Sequence, residues 1–152
     1  MKTIIIVLLG LSSLTVNGQI TNTTHKDESN IYYHALDSAV KIILTKVKPE
    51  NIILDGDLYA MNRVPDNLLG LRIIKNDGQK KIKTKDNSAT VRMNRLEVEN
   101  GEFNIFMTLW TTNNGQMRIL ENGISGYTFA YEFVSSDKSF RLLRIDKSII
   151  IR

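Results

Sequence analysis

The chain has no cysteine, two prolines, two histidines and one tryptophan among its 152 residues. Missing thiols exclude disulfide staples, thiolate metal sites and cysteine nucleophiles, so packing alone must hold any fold. Histidine chemistry is thin too, with His25 in a polar segment and His34 on the polar side of a helical pattern, where a solvated surface histidine is the ordinary outcome. No Gly-x-Ser-x-Gly, phosphate-binding glycine loop or His-Glu-x-x-His is present. A net charge of +4 is too small to point to nucleic acid or an anionic membrane. Long apolar runs are also lacking: Ile4 to Leu11 falls well short of the roughly 20 residues that span a bilayer.

That short run is nevertheless informative. One early lysine, Lys2, then the apolar stretch, then Ser12 to Gly18 make a secretory signal peptide over residues 1–18, with Val16 and Gly18 as the small residues before a cut at Gln19. No cysteine follows, which excludes a lipid anchor. The expected product is exported, periplasmic or extracellular, with no membrane insertion after cleavage. Residues 19–29 have almost nothing to bury and read as a flexible segment. The remainder, 30–152, is one domain's length.

Within it, Tyr32, Leu36, Ala39, Val40, Ile43 and Val47 recur at helical spacing, and Ser29 or Asn30 can cap the start. A helix is expected from Ile31 to Val47, stopped by Pro49. Beyond it the period changes to two. Asp55-Gly56, Asp77-Gly78, Asn100-Gly101, Asn114-Gly115 and Asn122-Gly123 supply residues that tolerate the positive φ of tight hairpins. Asn100-Gly101 is the strongest, flanked by Val91 to Glu99 and Glu102 to Trp110, and it sets Val98 against Phe103 and Leu96 against Ile105. Continued without interruption, that register puts Val91 against Trp110, Met93 beside Thr108 and Arg95 against Phe106, so a bulge near Asn94 or partial cover on both faces is required. Tyr127 to Val134 and Phe140 to Ile145 alternate as further strands.

These elements predict an α+β fold: one N-terminal amphipathic helix packed on a curled antiparallel β-meander of about five strands. In its order of elements the chain resembles the cystatin-like or NTF2-like outline. Such a fold hosts inhibitors, binding modules and a few enzymes, and does not supply a function by itself.

Candidate chemistry is sparse. Asp55-Gly56-Asp57 is a fragment of a calcium loop without the further ligands or the closing glutamate, and reads as a turn. Arg72, Lys75, Lys80, Lys81, Lys83, Lys85, Arg92 and Arg95 form a basic segment, expected as a solvated hairpin guarded against edge pairing. Phe103, Phe129 and Phe133 are expected in the core. Trp110 and Phe106 lie opposite the apolar ladder, and with Arg95 stacked on Phe106 they are the candidate binding residues. No metal and no cofactor is called for. The expectation is an exported non-enzymatic binding domain, an inhibitor or immunity protein being its narrower form, with a protein partner or small ligand outside the cytoplasm. Two alternatives stand beside it: a structural or assembly component of the cell envelope, and a small cavity-bearing NTF2-like enzyme built on His34, Asp55 or Asp57.

Overall fold

The computed structural model describes residues 30–77 and 87–149; the expected signal peptide over 1–18, the segment 19–29 and Lys80 to Lys85 lie outside the described residues. Helix α1, Ile31–Lys46, starts where Asn30 caps it: the side-chain oxygen accepts from the backbone N–H of Tyr32 and Tyr33 at 3.1 and 3.3 Å. The asparagine amide also donates to the carbonyl of Arg63, tying the helix entry to the chain beyond the first strand. Leu36, Val40 and Ile43 are fully buried, so the apolar stripe faces the sheet as its spacing requires.

Eight strands follow among the described residues: β1 Asn51–Gly56, β2 Asn67–Leu68, β3 Leu71–Asn76, β4 Ser88–Glu99, β5 Glu102–Asn113, β6 Gln116–Ile119, β7 Ile124–Val134 and β8 Ser139–Ile149, with a short helix α2, Leu58–Met61, after β1. They form one sheet in the order β2-β3-β1-β4-β5-β7-β8, with β6 paired to β5 beside β7. The α+β composition stands, but the five-strand antiparallel meander does not. Strand β1 runs parallel to both β3 and β4, which makes the sheet mixed and removes the antiparallel outline that suggested a cystatin-like or NTF2-like fold.

The reason is local. Asp55-Gly56 ends β1 without turning it back; Gly56, at φ +140, sits against β4 so closely that a Cβ would strike the carbonyl oxygen of Met93. The chain then runs through α2, whose N-cap Asp57 accepts from the Tyr59 N–H at 2.8 Å, and returns through the β2–β3 hairpin. Ile52, Ile53 and Leu54 are buried on both faces, the mark of a central parallel strand. The basic segment does not pair β3 with β4 as a hairpin, because both flank β1; its lysines 80–85 lie outside the described residues.

Two of the Asn-Gly turns close as expected. Asn100 and Gly101 (φ 51 and 81) join β4 to β5, and Asn114 and Gly115 (φ 51 and 70) join β5 to β6. The β2–β3 turn uses Leu69 at φ 50 before Gly70, a conformation a leucine adopts only under strain. Between β4 and β5 the register shifts from Met93↔Met107 to Leu96↔Ile105, so the bulge holds Asn94 and Arg95. Trp110 therefore pairs with Thr90, Thr108 with Arg92, and Val91 with Leu109.

Helix α1 covers one face of the sheet. Its core is Ile52, Leu54, Val91, Met93, Ile105, Met107, Leu109, Tyr127, Phe129 and Tyr131, closed below α2 by Ala60, Met61 and Val64. The opposite face carries no helix among the described residues.

Candidate functional sites on the two sheet faces

Strand alternation sorts the candidates. On β5, Asn104, Phe106, Thr108, Trp110 and Thr112 point away from α1, while Phe103, Ile105, Met107 and Leu109 point toward it. Phe106 and Trp110 thus share the helix-free face, both half-buried. Arg95 does not join them. The bulge carries it aside, and its guanidinium donates to Asp57 at 2.8 Å instead of stacking on Phe106. That bond, with the Tyr59 N–H behind it, holds the Asp57 carboxyl below the usual range.

The helix-free face is a mixture of rings and polar groups. Opposite Thr108 stands Arg92, whose Nε donates to one oxygen of Asp55 at 3.0 Å while Nη2 lies 2.9 Å from the same oxygen. Phe106 pairs with Thr128 of β7, and its ring lies across Gly126 so closely that a Cβ there would collide with the ring's rim. Trp110 sits between Thr90 and Ile119. Among the described residues, the buried side-chain oxygens without a partner (Asn51 Oδ1, Thr90 Oγ1, Asn104 Oδ1 and Thr112 Oγ1) all belong to this face. An apolar core would not carry four of them. At the far end Arg144 binds Glu102 and Asp146, and Arg141 binds Glu132. The Arg144 hydrogen bond draws the Glu102 carboxyl below its ordinary pKa.

Beyond α1 the helix-side face is different. The β4–β5 and β7–β8 hairpins outrun the helix, leaving Val98, Phe103, Phe133, Phe140 and Leu142 as an apolar shelf. Val98 is 64% exposed and Phe133 47%, so Phe133 is not a core residue; Phe103 is half-buried and only Phe129 is fully enclosed. Phe140 packs edge-on against Phe103 and tilted against Phe133, each at 5.3 Å between ring centres. The shelf is continuous with the core through Tyr131, which pairs with Phe103 and whose hydroxyl lies 3.5 Å from that of Ser38 on α1. Neighbouring β8 is an edge strand blunted by a bulge at Leu143 and by Arg144, Asp146 and Lys147.

Sequence reasoning missed the shelf because alternation shows which face a residue takes but not where the covering helix stops. A signal existed: α1 spans 16 residues, roughly 24 Å, whereas the hairpin strands of 12 residues reach roughly 40 Å.

The candidate catalytic residues are otherwise engaged. Asp55 and Asp57 are held by Arg92 and Arg95, and His34 stacks edge-on against Tyr33 on the outer side of α1, at 5.7 Å between ring centres. No cluster of three metal-ligating side chains occurs among the described residues, and none of their helices is long and apolar enough to cross a membrane. Comparison of the chain with models of protein families, with curated proteins and with solved structures finds no match.

Proposed function

We propose that this chain is an exported, non-enzymatic interaction domain that docks another protein on the shelf formed by Val98, Phe103, Phe133, Phe140 and Leu142. The observation that carries this reading is the exposure of Val98 and Phe133 in one contiguous patch with half-buried Phe103 and Phe140. Contiguous apolar surface of this kind marks contact with a partner. Burying it in an interface recovers the free energy that its exposure forgoes in the free domain. The pattern of residues 1–18, an early lysine, a short apolar run and small residues before Gln19, supports export. An inhibitor or immunity protein is the narrower form. A second reading that the same exposed apolar patch would serve is an assembly component of the cell envelope.

The test is capture of partners by the immobilised mature chain from envelope and culture fractions of the organism that encodes it. Wild type is expected to retain a partner that the double variant Val98→Asp, Phe133→Asp loses at unchanged melting temperature. One stoichiometric secreted partner supports the inhibitor form, and envelope proteins support the assembly form. Equal capture by the double variant, or no capture by wild type, would overturn the reading.

A further inference from the structure

We propose that the helix-free face is a separate ligand site, and that it binds a neutral carbohydrate chain by stacking sugar rings on Phe106 and Trp110. The two rings lie four residues apart on the same side of β5, about 14 Å along the strand, with only Thr108 between them. Phe106 leans over Gly126, which as glycine leaves room for the ring to settle on the sheet. Stacking of a ring-shaped ligand on an aromatic face rewards shape and not sequence, as it does for nucleobases.

Beside Thr108, the Arg92–Asp55 pair supplies the polar half of the site. Because Nε and Nη2 of Arg92 share a single Asp55 oxygen, Nη1 of the arginine and Oδ1 of the aspartate are not used in the pair. A donor and an acceptor left over on one ion pair offer both kinds of partner to sugar hydroxyls, each of which donates and accepts. The Arg92 side chain is 62% exposed, so a ligand can reach it. Thr128, opposite Phe106, adds a hydroxyl at the other end.

Charge argues for a neutral ligand. On β4 and β8, the strands that flank the two rings, the cations of this face stand in pairs with carboxylates: Arg92 with Asp55, Arg141 with Glu132, and Arg144 with Glu102 and Asp146. Paired charges cancel the field that would gather a polyanion, while leaving hydrogen-bonding edges for a polyol. The face also lacks the unbroken apolar surface that marks the shelf, with threonines and asparagines alternating with its rings.

Trp110 is the sole tryptophan of the chain, so its fluorescence reports directly on the site. The mature protein is titrated with cello-, chito- and laminari-oligosaccharides from monomer to hexamer. The expected result is a saturable emission change with at least one series, tightening as the chain lengthens to span both rings and insensitive to salt. Phe106→Ala and Arg92→Gln are each expected to weaken binding about tenfold or more. The shelf variant Val98→Asp, Phe133→Asp is expected to bind the glycan normally, which separates this site from protein docking. No saturable change with any series, affinity unaltered by Phe106→Ala and Arg92→Gln in folded protein, or binding that collapses with added salt as for a polyanion, would each overturn the proposal.

Discussion

The two faces of this sheet use aromatic residues in opposite ways. On the helix side, rings complete a packed layer and then overrun it: Phe129 and Tyr131 are enclosed under α1, whereas Phe133 on the same face emerges beyond it. On the other side, Phe106 and Trp110 stand apart, separated by threonine and flanked by an ion pair. One face is thus a core that continues into solvent, and the other a polar layer with two inset rings, in which Ile53, Ser88, Thr90 and Thr112 are themselves buried. Position relative to α1 decides what an aromatic side chain on these strands does.

The sharpest way to break the comparison is to truncate one residue on each side. Leu36→Ala, in the fully buried stripe of α1, is expected to cost about 2–5 kcal/mol by chemical denaturation. Trp110→Ala, half-buried on the helix-free face, is expected to cost about half as much or less. Equal losses would mean that both faces are core.

A second contrast isolates the seat of Phe106. Gly126→Ala is expected to destabilise by about 1–3 kcal/mol, because the new methyl meets the Phe106 ring and the Met107 carbonyl oxygen. In a Phe106→Ala background that loss should shrink to the part owed to the carbonyl, with a coupling of about 0.5 kcal/mol or more in the double-mutant cycle. Independence of the two substitutions would show that the ring does not rest on the glycine.

Titration probes the helix-side core. Burial, reinforced by the Glu121 carboxylate, pushes the Tyr127 hydroxyl up to about 12, and burial against α1 pushes Tyr131 up to about 12, both from an ordinary 10.0. Below pH 10 both phenols are neutral whether the chain is folded or not, and their contribution to stability is intact. Between pH 10 and about 12 the unfolded chain gives up these protons first, so stability falls as pH rises. Denaturation midpoints at pH 9 and 11 check this, and Tyr131→Phe should flatten the decline. A slope unchanged by that substitution would place the titrating group elsewhere.

The legibility of the sequence follows the same divide. Helix α1 is readable because Asn30 caps it and its stripe faces a core, and the β4–β5 and β5–β6 hairpins because asparagine and glycine take positive φ cheaply. Alternation sets Phe106 and Trp110 on the face away from the ladder, since it survives without knowing the partners. The topology around β1 is not readable: Asp55-Gly56 has the composition of a hairpin turn but serves a close approach to β4. Strand β2 spans two residues, too few to show a period. The bulge at Asn94 and Arg95 moves the pairing of Trp110 by one residue and gives Arg95 to Asp57. Leu69 breaks the rule outright, a leucine where asparagine or glycine would be relaxed, 48% exposed at the hairpin tip. Leu69→Asn is expected to raise stability by about 0.5–1 kcal/mol, the smallest of these effects, read as a melting temperature a few degrees higher. A lower one would show that the leucine side chain packs on the fold.

If the helix-side shelf, and not the opposite face, takes up a protein partner, hydrogen–deuterium exchange of the mature domain with and without its captured partner shows it most directly. Added protection confined to residues 96–103 and 131–142 is the predicted result, and protection centred instead on 88–92 and 106–112 would contradict it.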